Sequence, residues 1–209
     1  VRQYFRDNSS GTFVPEFVIA GPVTLSRNYA YYGENDKNSG SDRRPREMVE
    51  EACRLADAEV DFSSLSLDEF GYVGSVYILY AGEGEATSND ANTVWPHAWQ
   101  LARMLKLDNV YISSYACSNE LEDGGLDGIG TFCHEFSHVL GLPDLYDADY
   151  EGSGGNSYHL NSWSVMATGC YNGNSDLPCF YTAVEREMLG WGQPVVLDEA
   201  GDYQLEPIG

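Results

Sequence analysis

The chain has 209 residues, of which 43% are apolar and 13% aromatic, enough for one domain of moderate size with a packed core. Its 33 acidic and 11 basic residues give a net charge of −22, which repels phosphate backbones and anionic membranes and therefore excludes nucleic-acid binding. No apolar run reaches the length of about 18 residues that a membrane span needs, so none is predicted.

The first half of the chain predicts strands and a helix in alternation. The stretch 13–26 alternates loosely between apolar and polar residues and is predicted as a strand. From residue 44 to about residue 60 the apolar side chains recur with helical spacing. The stretch 72–82 is an apolar run typical of a buried strand, and 109–117 is a further strand, expected nearer an edge.

The second half predicts two helices separated by irregular chain. Residues 127–140 recur with helical spacing, and Gly141 is well placed to end that helix. Little regular pattern follows until residues 182–189, which form a short helix ending at Gly190. Strands and helices followed by loop-rich chain predict an α/β fold.

The predicted organisation is a single domain over residues 1–209. An upper lobe of sheet and helices, 1–141, would meet a loop-rich lower lobe, 142–209, at the second predicted helix. The first residues read like the middle of a protein, so a preceding leader is expected to have been removed.

The helix 127–140 carries a pattern typical of zinc hydrolases. His134 and His138 are four residues apart, so their imidazoles lie on one face and can point at one metal ion. Glu135 is offset from His134 by about 100°, close enough to take a proton from a water at that metal. Two neutral imidazoles suit Zn²⁺, which lowers the pKa of water towards ~7. On an otherwise apolar helix, these groups would be costly to bury without a metal.

Asp144 is the predicted third ligand. Gly141 tolerates the positive φ that a chain needs to leave the helix and return sharply to the metal. Glu185 and Glu187, on the last predicted helix, are the alternatives, because a large class of zinc peptidases takes its third ligand from a downstream helix. A capping box that begins at Thr182 accounts for Glu185 without a metal.

Met166 lies in the turn-rich stretch 162–173. A methionine in a tight turn after a helix of this kind can form an apolar floor beneath the metal, and we adopt this interpretation over an ordinary core methionine.

Several stretches together resemble the immune inhibitor A family of metallopeptidases, which is itself similar to the metzincins. They are HEFSHVLGLPDLYD, WSVMATGCYNG and YTAVEREMLGW, with NYAYYGEND and NTVWPHAW upstream, and the resemblance covers residues 4–207 approximately. It implies a zinc endopeptidase with a twisted mixed sheet above the cleft and a Met-turn below it. It also implies zinc ligation by His134, His138 and Asp144 and a general base at Glu135.

The resemblance further implies where the protein acts and on what. The substrates would be proteins or peptides, and the location secreted or at the cell surface. The family usually carries a propeptide before the catalytic domain and β-rich modules after it, so this chain is expected to be a catalytic domain trimmed at both ends. We expect it to be a monomer.

Two features depart from the family's pattern. The loop that often resembles a calcium site keeps only Asp61, Asp68 and Glu69 as donors, where Ca²⁺ takes about six oxygens or more, so calcium is not favoured there. Metzincins that use a tyrosine to assist the oxyanion carry it two residues after the methionine. That position is Thr168 here, with Tyr171 nearby.

The pairing of the five cysteines is open. Cys170 and Cys179 are nine residues apart and could form a disulfide, as could Cys117 and Cys133, although a buried thiol is the simpler interpretation of Cys133. No partner is predicted for Cys53.

A rival function belongs to a different class: a non-catalytic binding module that keeps zinc to stabilise its fold. Structural zinc sites are usually closed by four protein ligands, often cysteines. The three evident ligands and Glu135 favour the enzyme. His97 is interpreted as a structural residue, with a contact to substrate as the alternative.

Overall fold

The computed structural model describes residues 1–149, 152–157, 159–192 and 195–204. Their helices and strands are, in chain order, α1 Arg2–Asn8, α2 Tyr29–Gly33, α3 Pro45–Ala56, β1 Val76–Glu83, α4 Glu85–Ser88, β2 His97–Leu107, β3 Val110–Glu122, β4 Gly125–Leu126, α5 Gly130–Val139 and α6 Ala183–Met188. Contacts divide the chain into two compact units: the sheet unit, 18–127, and the helix unit, 1–17 with 128–209. The single catalytic domain over 1–209 stays a prediction.

The sheet unit contains an open mixed sheet, so the predicted α/β class is confirmed. β3 lies in the middle, paired in parallel with β1 and antiparallel with β2. The short strand β4 pairs antiparallel with the end of β3 in a hairpin. Asp108 and Asn109 form the turn between β2 and β3 with φ of 46° and 65°. Positive φ at both central residues is the type I′ turn, whose twist matches that of the strands.

The helix α3 covers part of this sheet. Pro45 occupies its first turn, where a missing N–H is harmless, and the helix packs against β2. Met48, Val49 and Cys53 are buried on one face in the same core as Ile112 of β3. The predicted helix is confirmed, although it ends at Ala56 and the buried Val60 lies beyond it.

The predicted strand at 13–26 is wrong. Residues 13–25 belong to neither helix nor strand, and Val18 and Ile19 are 63% and 91% exposed. Pro15 and Pro22 supply no N–H for a strand ladder. The apolar alternation here therefore marks exposed chain.

The order of the strands also differs from the prediction. The expected edge strand, β3, is the central one, with five consecutive buried residues from Tyr115 to Asn119. β2 was not predicted, because Leu101, Arg103 and Leu105 belong to the residue types that favour helices. Pairing with β3 overrides that local preference. β1 is confirmed as a strand, but Leu79 is 63% exposed, so its burial was overestimated.

The helix unit is built around aromatic rings that pack on α5. Phe5 of α1 is fully buried and meets Phe136 edge to face, with ring centroids 5.3 Å apart. Gly130 lets α5 begin close to the chain 170–175, because a Cβ there would lie 1.8 Å from the Cys170 carbonyl oxygen. Both predicted helices of this unit, α5 and α6, are confirmed.

All five cysteines lie within the described residues, and no disulfide joins any of them. Neither pairing that the sequence left open is present. The Cys170 thiol donates to the Ala167 carbonyl at 3.2 Å, and Cys133 is a fully buried thiol, as the simpler interpretation predicted. Burial raises the pKa of Cys133 to about 12, which keeps it protonated.

No helix in the described parts of the chain is long and apolar enough to cross a membrane.

Candidate metal centre

α5 presents His134, Glu135 and His138, and the turn after it returns the chain to them. The helix ends in a Schellman motif: Gly141 N–H donates to the His138 carbonyl and Leu142 N–H to the Ser137 carbonyl, both at 3.0 Å. Gly141 has φ +106°, which an L side chain would adopt only with strain, while no atom would meet a Cβ there. Backbone conformation, not space, therefore requires glycine at this reversal.

The tautomer of His134 follows from its backbone partner. Nδ1 lies 2.8 Å from the Val165 carbonyl oxygen, which can only accept, so Nδ1 carries the proton. Nε2 of the neutral ring then has a free lone pair.

His138 is held in the same way. Its Nδ1 lies 2.8 Å from the Leu142 carbonyl oxygen, which leaves Nε2 with the lone pair. Both rings are thus oriented by backbone carbonyls, as metal-binding histidines commonly are.

Three electron pairs converge where these rings meet Asp144. His134 Nε2 and His138 Nε2 are 3.2 Å apart, and Asp144 Oδ1 lies 3.3 Å from the first and 3.2 Å from the second. Asp144 Oδ1 is buried without a hydrogen-bond partner. As long as both rings are neutral, with their protons on Nδ1, nothing in this triangle of His134 Nε2, His138 Nε2 and Asp144 Oδ1 donates. The neutral arrangement is therefore repulsive unless a positive charge, either a metal ion or a proton on Nε2, occupies it.

The triangle has the dimensions of a zinc site. Zinc binds imidazole nitrogen and carboxylate oxygen at about 2.0–2.2 Å, which in tetrahedral geometry separates neighbouring ligand atoms by about 3.3–3.5 Å. The observed separations agree within 0.1 Å at 3.2–3.3 Å. Two imidazoles and one carboxylate are also ligands that zinc accepts, with a fourth position left open.

Glu135 lies beside the triangle. Its carboxylate and the two histidine side chains place ligand atoms within 4.8 Å of one another. The residue is 6% exposed, and burial raises its pKa to about 7, although His134 and His138 act to lower it.

The charges of the triangle bias its members towards ionised forms. Burial acts to lower the pKa of both His134 and His138, but the Asp144 carboxylate and the other groups around the rings, Glu135 among them, together outweigh burial, so the pKa of each ring is raised. Burial acts to raise the pKa of Asp144, and the two rings instead hold it well below its usual range. Asp144 is therefore a carboxylate, the form that binds metal.

Met166 is fully buried in the core of the helix unit. Its carbonyl oxygen accepts from Leu145 N–H at 2.8 Å, next to Asp144, and the preceding Val165 carbonyl is the partner of His134. The turn that contains Met166 is thus bonded to both segments that form the triangle, α5 and the chain at Asp144.

The other candidates lie elsewhere. Glu185 has both carboxylate oxygens occupied, by Thr182 N–H and by the Ser164 hydroxyl, so the predicted capping box is confirmed, and Glu187 is exposed. In the sheet unit, His97 Nε2 lies 2.8 Å from the Tyr115 hydroxyl, which supports its structural interpretation.

The remaining predicted positions are also accounted for. Thr168 begins a short 3₁₀ turn that Tyr171 ends, and Tyr171 is 41% exposed. Asp61 and Asp68 each direct Oδ1 at backbone N–H groups of their own loops. The oxyanion role of Tyr171 stays a prediction.

Two carbonyl groups, of Leu142 and Val165, were missed by sequence reasoning. Any residue type offers a backbone carbonyl, so no pattern of side chains marks them. They fix the histidine tautomers, and only the folded chain shows them.

Comparison with known proteins identifies the family of the chain. Residues 1–189 match the immune inhibitor A peptidase M6 family, catalytic domain. The chain belongs to this family. The M6 match spans all the residues of the triangle, together with Glu135 and Met166.

Two named proteins are among the relatives of this chain. The pre-pro-metalloprotease PrtV of Vibrio cholerae is 28% identical over 198 residues, which cover 83% of this chain and 21% of that protein. Immune inhibitor A of Bacillus thuringiensis subsp. alesti is 26% identical over 203 residues, 82% of this chain and 28% of that protein. The chain therefore spans between a fifth and a third of the length of these relatives.

Proposed function

We propose that this chain is a zinc-dependent endopeptidase domain that hydrolyses peptide bonds in proteins. The observation that carries the proposal is the convergence of His134 Nε2, His138 Nε2 and Asp144 Oδ1 without a shared proton. These three atoms are the proposed metal ligands. Membership of a peptidase family with metalloprotease-named relatives supports the choice of reaction.

Zinc, when bound, supplies a Lewis acid that polarises the scissile carbonyl and lowers the pKa of water. Glu135 is the proposed general base: it takes a proton from the attacking water and hands it to the leaving amine. Its burial beside the two histidines supports this role. His134 and His138 keep their orientation through the carbonyls of Val165 and Leu142.

The rest of the proposal concerns the surroundings of the centre. Met166 would form the floor of a Met-turn, supported by its burial and its bonds to the triangle's segments. The whole chain, 1–209, would be one metzincin-like, two-lobed catalytic domain acting as a monomer. We propose secretion or a cell-surface location, and protein or peptide substrates, by analogy with the M6 family.

The rival binding module gains no support from the centre. A structural zinc site is usually closed by four protein ligands. Among the described residues, three candidate ligand atoms converge, and Glu135 lies next to them.

The test separates chemistry from metal binding. Glu135→Gln keeps the shape of the side chain and removes its ability to take a proton. We expect cleavage of casein to fall by about 10²–10⁴-fold while one zinc per chain is retained, measured by metal analysis. Glu187→Gln, the same change on an exposed position, is the control and should match the parent. Undiminished cleavage by Glu135→Gln would contradict the assignment.

A further inference from the structure

The buried carboxylate of Glu185 has more partners than a helix cap requires. It is fully buried at the third position of α6. Oε2 accepts from Thr182 N–H at 2.6 Å, which completes the capping box. Oε1 accepts from the Ser164 hydroxyl at 2.6 Å, a residue 21 positions earlier in the chain. A capping box alone needs one of these oxygens, so the second bond has another purpose.

Ser164 links Glu185 to the turn around Met166 by hydrogen bonds. The serine is fully buried, and because it donates its one hydroxyl proton to Glu185, it can only accept from other groups. Met166 N–H donates to its Oγ at 3.1 Å. The Ser164 carbonyl oxygen also accepts from Ala167 and Gly169. Both ends of residue 165 are therefore held.

The turn at Val165 and Met166 orients two parts of the triangle. The Val165 carbonyl, between the two held residues, fixes the proton and the plane of the His134 ring at 2.8 Å. The Met166 carbonyl accepts from Leu145 N–H at 2.8 Å, which holds the chain next to Asp144. A set of hydrogen bonds, linked through the peptide groups of the turn, thus runs from Glu185 to His134 and to Leu145, the neighbour of Asp144.

We propose that Glu185 is a positioning residue for the metal centre, acting through Ser164 and the turn at Val165 and Met166. This rests on the proposed zinc site but concerns a residue that neither binds the metal nor touches substrate. Hydrogen bonds to an ionised acceptor are about twice as strong as neutral ones, so a buried carboxylate holds the serine proton more firmly than an amide would. Groups that orient metal ligands typically alter affinity by about 10–100-fold when lost.

Glu185→Gln is the informative change. Glutamine still completes a capping box, so α6 keeps its start. Its amide, however, leaves the Ser164 proton without the carboxylate that accepts it. Ser164→Ala removes the same link from the other side and serves if the glutamine variant does not fold. Glu187→Gln, an exposed position on the same helix, is the matched control.

The measurement is zinc affinity of the full chain by competition with a chelator, with the visible spectrum of Co²⁺-loaded protein as a report on ligand geometry. We expect a 10–100-fold loss of affinity in Glu185→Gln and in Ser164→Ala, an altered Co²⁺ spectrum, and no further loss in the double variant. Glu187→Gln should bind as the parent does.

Three results would overturn the inference: parental affinity in both single variants, losses that simply add in the double variant, or an equal loss in Glu187→Gln. A parent chain that binds no zinc would instead overturn the proposed function on which the inference rests.

Discussion

His97 in the sheet unit and the two histidines of α5 are all partly or largely buried, yet their surroundings differ in one respect. His97 donates from Nδ1 to the Trp95 carbonyl at 2.6 Å and accepts at Nε2 from the Tyr115 hydroxyl at 2.8 Å. His134 and His138 also donate from Nδ1 to carbonyls, but each Nε2 meets a second nitrogen and a carboxylate oxygen.

The difference gives a criterion that separates a structural histidine from a candidate metal ligand. A buried polar group is normally paired, and the protein pairs both nitrogens of His97. In the helix unit the protein instead assembles three acceptors, with no donor as long as both rings are neutral. Burial alone does not separate the two regions. What separates them is whether the group that faces Nε2 has a proton to donate.

The largest expected effect follows from removing one of these rings in each unit. His138→Ala should lower zinc affinity by several orders of magnitude, because two protein ligands remain. His97→Ala should leave zinc affinity as in the parent and lower the free energy of unfolding by about 1–3 kcal/mol, since the Tyr115 hydroxyl loses its hydrogen bond to His97. Chelator competition and chemical denaturation measure the two quantities. Similar zinc affinities in the two variants would remove the distinction.

A smaller effect is expected from the backbone. Gly141→Ala should cost about 1–2 kcal/mol from positive φ alone, because a Cβ meets no atom there, and should also weaken zinc binding by displacing Asp144. Gly71, in the sheet unit, has φ +82° and equally open space, so Gly71→Ala carries the same strain away from the triangle. Zinc titration of both variants tests this, and an equal loss in Gly71→Ala would contradict it.

The smallest expected effect concerns pH and the sheet unit. Burial, followed by repulsion from Glu85, raises the pKa of Asp42 to about 7. The folded state therefore binds this proton more tightly than the unfolded chain, whose carboxyl titrates near 4. Stability is highest below about pH 4 with respect to this group and falls as pH rises towards 7. Asp42→Asn removes this pH dependence. We expect the total change in the free energy of unfolding that is lost to be on the order of 1 kcal/mol, because the group is partly exposed and screened.

Urea denaturation of parent and Asp42→Asn at several pH values between 4 and 8 measures it. An unchanged slope across this window would show that Asp42 is not the group responsible.

The sequence predicted which residues converge at the candidate centre better than it predicted the fold around them. His134, Glu135 and His138 are set by one helical repeat, and Gly141 and Asp144 by a short reversal, so local rules suffice for them. β2 could not be predicted, because its leucines and arginine favour a helix and only pairing with β3 makes them a strand. The exposed chain at 13–26 has a strand's alternation but no partner. Likewise, the link from Glu185 to Ser164 joins residues 21 apart through a fold that no short pattern encodes.

The central claim is that Asp144 completes the metal centre, and equilibrium dialysis of Asp144→Ala against zinc and a competing chelator tests it most directly. Asp147→Ala, three residues further along the same segment, is the control. Without Asp144 Oδ1, only two imidazoles remain, and we expect zinc affinity to fall by more than the ~100-fold typical of an orienting group. Asp147→Ala should bind zinc nearly as tightly as the parent. Zinc retained by Asp144→Ala as tightly as by the parent would contradict the account.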